Sequence, residues 1–144
     1  MIRGVDTTFL VEVEVEGHPN HQVARSLLDD LLAKGDLLAL APQVLAEYVH
    51  IVTDPKRFLR PLTMPQALDR ARIWWDAQEV VRVFPDADSS QLFLQWMVEH
   101  KLGRKRLLDT LLAATFHARE IRSILSSNAR DYAVFGCFEV IIPE

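Results

Sequence analysis

Four acidic residues stand where a chain can collect carboxylates at one place. Asp6 follows an apolar run in Gly4-Val5-Asp6-Thr7-Thr8, and Glu47 lies inside the apolar stretch Leu45-Ala46-Glu47-Tyr48-Val49. Asp109 opens Leu107-Leu108-Asp109-Thr110-Leu111-Leu112-Ala113-Ala114, and Asp131 belongs to Ser126-Ser127-Asn128-Ala129-Arg130-Asp131-Tyr132. Each has a plainer reading when taken alone. Asp6 and Asp109 are good helix N-caps, Asn128 with Asp131 three positions later is an ordinary helix start, and Glu47 can face solvent. Taken together they imply more. Ionised carboxylates a few Å apart repel by roughly 4 kcal/mol per pair at an effective dielectric near 20, so a cluster needs a cation or raised pKa values. Oxygen donors without cysteine or a histidine pair suit Mg²⁺ or Mn²⁺ better than Zn²⁺.

The elements that must position these residues follow from periodicity and punctuation. Met1 to Val5 reads as a strand and Thr7 to Val13 as a helix. The spacing of Val23, Leu27, Leu28, Leu31 and Leu32 predicts a helix within His18 to Lys34, with Gly35 as its stop. Leu37 to Leu40 reads as a buried strand. Pro42 opens a helix to about Val52, and Pro65 opens another to about Trp75. Between them, Asp54 to Pro65 reads as a loop, broken by three prolines. Val80 to Phe84 is β-rich, and the Asp86, Asp88, Ser89 group then offers caps for a helix carrying Leu92, Phe93, Trp96 and Met97. Leu108 to Ala118 reads as a helix capped by Asp109, Arg122 to Leu125 as a strand, Asn128 to Phe135 as a helical turn, and Phe138 to Ile142 as the last strand. Alternating strands and helices predict an α/β fold with a parallel sheet covered on both faces, where ligands bind beyond the carboxyl ends of the strands.

Composition bounds the reading. The 144 residues are 49% hydrophobic and 25% charged, which predicts one globular domain over residues 1–144. The longest uncharged stretches are far shorter than the ~20 residues a membrane span needs. Asp6, Glu12, Glu14 and Glu16 interrupt any signal-peptide core, and a lone Cys137 forms no internal disulfide, so the cytoplasm is the expected compartment. With 16 basic and 20 acidic residues the net charge is −4, which argues against nucleic-acid binding driven by overall charge. Local basic groups remain: Lys101, Arg104, Lys105 and Arg106 precede Asp109, and Lys56, Arg57 and Arg60 lie in the proline-rich loop. Both are candidate RNA contacts or plain surface charge. Trp74, Trp75 and Trp96 read as core or subunit-interface packing ahead of base stacking. The histidines have no ligand spacing.

The ordered set Val5-Asp6-Thr7-Thr8, Glu47, Leu108-Asp109 with Ala113-Ala114, and Ser126 to Tyr132 resembles the motifs of the PIN domain, and the match spans essentially the whole chain. Stand-alone PIN domains of this length are similar to VapC-type toxins. The resemblance implies a three-layer α/β/α sandwich around a central parallel sheet and an Mg²⁺- or Mn²⁺-dependent endoribonuclease. It implies a VapB-like antitoxin and a second copy of the chain as partners. Asp6, Glu47, Asp109 and Asp131 then match the catalytic acids, with Asp6, Asp109 and Asp131 on the metal and Thr7, Ser127 and Asn128 orienting them. Ser126 and Tyr132 replace the usual Thr and Phe of the last motif. Other readings are a PIN-like module without catalysis, a PIN nuclease of RNA processing without an antitoxin, and a phosphotransfer domain with Asp6 as nucleophile. The last would want an aspartate beside Asp6, where Thr7 stands, and a lysine beyond Lys105, where the sequence has none. The helices from Pro42 and from Pro65 carry surplus apolar residues, which predicts a groove for a partner helix.

Overall fold

Five short strands, β1 (Ile2–Val5), β2 (Leu37–Leu40), β3 (Val80–Arg82), β4 (Ser123–Leu125) and β5 (Glu139–Ile141), frame the computed structural model, which describes residues 1–144. They form one sheet in the order β3-β2-β1-β4-β5, and every neighbouring pair is parallel. Parallel neighbours need crossovers, and seven helices supply them: α1 (Thr7–Glu14), α2 (His21–Ala33), α3 (Pro42–Val52), α4 (Met64–Asp76), α5 (Ala87–Glu99), α6 (Leu107–Ala118) and α7 (Ala129–Ala133).

From the central β1 the chain steps outward through β2 to β3, then returns to β4 and steps out the other way to β5. Right-handed crossovers put α1 to α4 on one face and α5 to α7 on the other. The contacts agree: α1 packs on α2 and α3, and α3 on α4, while α6 packs on both α5 and α7. This is the three-layer α/β/α arrangement expected from the alternation of elements. The strand order reverses between β1 and β4, and that is where a doubly wound sheet opens a crevice at its carboxyl edge.

The core is one cluster of 29 buried apolar residues, and the sheet lies at its centre. Leu38, Ala39 and Leu40 are buried in succession, the pattern of a strand covered on both sides. In β1, Gly4 is paired with Ala39 and Ile124, and a Cβ there would stand 2.7 Å from the Phe116 ring of α6. A glycine lets α6, the helix that bears Asp109, lie directly on the central strand. Arg3 in the same strand ties the amino edge together, donating to Asp36 at 2.9 Å and to Ser123 at 2.8 Å.

Several boundaries differ from the sequence reading. α2 begins at His21, because His18-Pro19-Asn20 closes a turn in which His18 Nδ1 accepts the Asn20 N–H at 3.0 Å. α4 begins at Met64, with Thr63 and Gln66 forming a reciprocal cap. β3 ends at Arg82, short of Phe84, and β4 begins at Ser123. A 3-10 turn over Arg104–Arg106 leads into α6, so that helix starts at Leu107 and Asp109 lies inside its first turn without capping it. Trp96 is core, as expected: its ring stacks on Phe135 with centroids 4.5 Å apart. No helix is long and apolar enough to cross a membrane.

Gly4→Ala is expected to destabilise the protein by about 1–3 kcal/mol, the usual cost of overpacking a filled core. Adding Phe116→Leu to Gly4→Ala should recover part of that loss. Urea unfolding of the two variants and the parent checks both.

Candidate active site

Asp6 is the first residue beyond the central strand, and its backbone N–H still bonds to Leu125 of β4 at 3.2 Å. It is both the cap of α1 and a buried acid, so the two readings of its sequence context hold together. Oδ1 accepts the Thr7 N–H at 2.6 Å, while Oδ2 accepts the Ser126 hydroxyl at 2.6 Å and the Thr8 hydroxyl at 3.3 Å. Only 5% of the residue is exposed. Burial raises its pKa, and the hydrogen bonds from Ser126 and Thr7 oppose the rise.

The other three acids are half-buried around it. Asp109 has its pKa pushed up to about 7, first by burial, then by the charges of Asp6, Asp131 and Glu47, with Arg106 pulling the other way. Glu47 is raised by burial and by Asp6, and the Thr7 side chain opposes this. The structure therefore brings Asp6, Glu47 and Asp131 within electrostatic reach of Asp109, and Asp6 within reach of Glu47, at the strand-order reversal. Glu47 arrives there from α3, Asp109 from the first turn of α6 and Asp131 from the first turn of α7.

The supporting residues differ in part from the sequence reading. Thr7 acts through its backbone N–H on Asp6 and its side chain toward Glu47. Ser126 is the hydroxyl that holds Asp6; Ser127 bonds instead to Glu12, and Asn128 contributes its backbone N–H to Ser126 Oγ at 2.9 Å, its side chain making no cap. Arg106, expected among possible RNA contacts, folds back and donates to the Asp131 carbonyl, while Arg104 and Lys105 stay exposed. Glu12 was not singled out from sequence. Its only signal was an acid at the position four after Thr8, on the same helix face, where an apolar residue would be ordinary.

As they lie, no three His, Cys, Asp or Glu side chains are grouped to hold a single ion between them. The donor chemistry still fits a hard divalent cation. The acids offer only oxygen, and Mg²⁺ keeps several of its waters and takes one or two carboxylates directly, so a cage of three is not required. Like charge around Asp109 favours a cation. The Tyr132 hydroxyl is buried beside Asp6, where burial and the charges of Asp6, Asp109 and Asp131 hold its proton on, so it can donate toward that carboxylate and adds no charge of its own.

The comparisons with known proteins point the same way. Residues 5–134 match the model of the PIN domain family, and the chain belongs to that family. It is 23% identical over 146 residues to Ribonuclease VapC24 of Mycobacterium tuberculosis, covering 96% of this chain and 94% of that protein. Its fold is similar to that of VapBC2 from Rickettsia felis bound to a DNA fragment from their promoter, with a TM-score of 0.70, 17% identity and all of both chains covered. It is also similar to that of Mycobacterium tuberculosis VapC20, described as a toxin that cleaves the sarcin-ricin loop, with a TM-score of 0.66, 19% identity, and 86% of this chain and 87% of that one covered.

A raised carboxyl pKa means that the folded state holds its proton more tightly than the unfolded chain. The metal-free protein should then lose stability as pH rises from about 4 through about 7, the interval between the ordinary value and that of Asp109. Asp109→Asn, which has no charge to accommodate, is expected to melt above the parent at pH 8 in EDTA, with the difference closing toward pH 4. Melting curves across that range check it, and a pH-independent difference would refute it.

Proposed function

We propose that residues 1–144 form a single nuclease domain that cleaves RNA with a divalent metal ion, and that the protein is the toxin of a VapBC-type pair in the cytoplasm. The observation that carries this is the convergence of Asp6, Glu47 and Asp131 on Asp109 at the carboxyl edge of the sheet. Membership of the PIN family and the likeness to a protein named as a ribonuclease support it.

Asp6 and Asp109 would hold the ion, with Asp131 as the third metal-facing acid. Bound there, Mg²⁺ or Mn²⁺ supplies charge for a phosphoryl oxygen and makes water easier to deprotonate. Asp6 enters with its orientation fixed by Thr7, Thr8 and Ser126, so it needs no rearrangement to serve as ligand. Burial and the charge of Asp6 raise the proton affinity of Glu47, which suits it to take the proton of the attacking water. The water oxygen bonds to phosphorus as the bond to the leaving ribose oxygen breaks. Arg104 and Lys105, exposed one turn before Asp109, supply positive charge for the RNA backbone that the acids would otherwise repel.

The antitoxin reading has its own support. Pro42, Leu45, Ala46 and Val49 of α3 and Leu68, Ala71, Arg72 and Trp75 of α4 line an open groove of about 400 Å³. Its lining includes Ala46, the residue before Glu47, so a peptide in the groove lies along the helix that carries one of the acids. An arginine on that peptide would pair with that acid in bidentate fashion. Trp74 does not line this groove; it is buried, as core packing predicts, with Leu28, Leu32 and Leu38 on the other side of α4.

Asp109→Asn is expected to lower RNA cleavage on the order of 100-fold at saturating Mg²⁺, with the fold intact, since it removes one charge from the metal site. A cleavage assay with circular dichroism on the same samples checks it, and equal rates would defeat the nuclease reading.

Co-expression with the neighbouring small gene product should yield a complex that co-purifies and is inactive on RNA, and light scattering gives the number of chains. Leu45→Glu in the groove should weaken that complex while leaving cleavage by the free toxin in place. Failure to co-purify, or full activity in the complex, would favour an RNA-processing nuclease without an antitoxin.

A further inference from the structure

Glu12 is 3% exposed, and no basic side chain pairs with it. The other buried acid outside the site does have such a partner, Asp36 with Arg3, and so does half-buried Glu14, with Arg70. A carboxylate taken out of water without a cation is costly unless hydrogen bonds replace the lost solvation. At a position flanked by Val11 and Val13, an apolar side chain would avoid that cost altogether. What Glu12 has instead is a set of donors from two separate loops. Ser127 Oγ lies against both its oxygens, 2.8 Å from Oε2, and Asn20 Nδ2 donates to Oε1 at 3.2 Å.

The bond to Ser127 leads into the site. Ser127 follows Ser126, whose hydroxyl donates to Asp6 Oδ2 and accepts the Asn128 N–H. One turn up α1 from Glu12, Thr8 Oγ1 accepts the Ser127 N–H at 3.3 Å and lies 3.3 Å from both Asp6 Oδ2 and Ser126 Oγ. Thr8 and Glu12 thus grip the same turn from one face of α1, Thr8 at its backbone and Glu12 at its side chain. Beyond the turn, α7 is only five residues long, too short to hold its own position in water, and it carries Asp131.

We infer that Glu12 is a positioning residue of the metal site: it anchors the Ser126-Ser127-Asn128 turn to α1, and through that turn it sets the Asp6 carboxylate and the start of the helix that bears Asp131. This rests on the nuclease reading for its consequence in catalysis, though not for its consequence in ion binding.

The test compares the purified full chain with Glu12→Ala, Ser127→Ala, the double variant of those two, Glu12→Gln and Asn20→Ala. Four quantities are read: kcat and KM on RNA, Mn²⁺ affinity by calorimetric titration, and melting temperature. Residues that orient metal ligands cost about 10- to 100-fold in affinity or activity when removed. Glu12→Ala and Ser127→Ala should each lose at least tenfold in kcat and Mn²⁺ affinity by that measure, with KM little changed and the double variant no worse than either single one. Glu12→Gln, which keeps an oxygen to accept from Ser127, should recover most of the loss. Asn20→Ala removes the other hydrogen bond of Glu12 and should lower the melting temperature without the loss in kcat.

A folded Glu12→Ala with parental kcat and Mn²⁺ affinity would overturn the inference. So would equal losses in Glu12→Ala and Asn20→Ala, which would mean a purely structural role. If the parent cleaves no RNA but Glu12→Ala and Ser127→Ala still lose Mn²⁺ affinity, the nuclease reading fails and the positioning role stands. If the parent neither cleaves RNA nor binds Mn²⁺, both fail.

Discussion

Repulsion between carboxylates is the interaction around which this molecule is arranged. At an effective dielectric near 20, two charges about 4 Å apart repel by roughly 4 kcal/mol, and Asp109 has three acids acting on it. The fold sets several things against that. Asp6 caps α1, and Asp109 and Asp131 each lie in a helix's first turn, so three positive helix ends meet the acids. Each is worth about 0.3–1 kcal/mol, well short of the repulsion. Hydrogen bonds from Ser126, Thr7 and Thr8 hold Asp6, and Arg106 offsets Asp109. The balance that remains falls to a proton or a cation.

The same arrangement explains the topology's usefulness. Asp6 follows β1 and Ser126 follows β4, and the reversal of strand order makes those two strands neighbours. A side chain separated from Asp6 by 120 positions in sequence therefore becomes its closest hydroxyl partner at 2.6 Å. Gly4 under Phe116 lets α6 lie close on β1, and from the first turn of that helix Asp109 comes within reach of the Asp6 charge. Site and core are built from the same contacts, so packing around the central strand also sets the geometry of the acids.

Much of this was legible in the chain. β2 and α3 fall on the residues expected of them, because buried runs of fixed length bounded by Gly35, Ala41 and Pro42 leave little choice. The four acids were legible as a set because Asp6 and Asp131 come after strands while Glu47 and Asp109 lie on helices that flank the sheet. What escaped was side-chain direction at turns. Nothing in Ser126-Ser127-Asn128 tells which hydroxyl faces Asp6; that depends on where β4 ends, and it ends one residue before Ser126. Arg106 read as one more exposed charge of a basic run. The 3-10 turn over Arg104–Arg106 rotates it inward, and a three-residue turn leaves no periodic signature. Glu12 was invisible because its partners, Ser127 and Asn20, come from loops that only the finished fold brings together.

The placement of the tryptophans has an optical consequence. Trp74 is buried against α2, Trp75 lines the α3–α4 groove with the Arg82 guanidinium 5.0 Å over its ring, and Trp96 stacks on Phe135, just beyond α7. Each indole thus has a different environment: apolar interior, charged groove wall and aromatic stack. Indole emission depends on local polarity and on nearby charge, so the three report separately on the core, on occupancy of the groove and on the seating of the helix that carries Asp131. A chain with two of them replaced by phenylalanine becomes a single-site fluorescent sensor, with no label added.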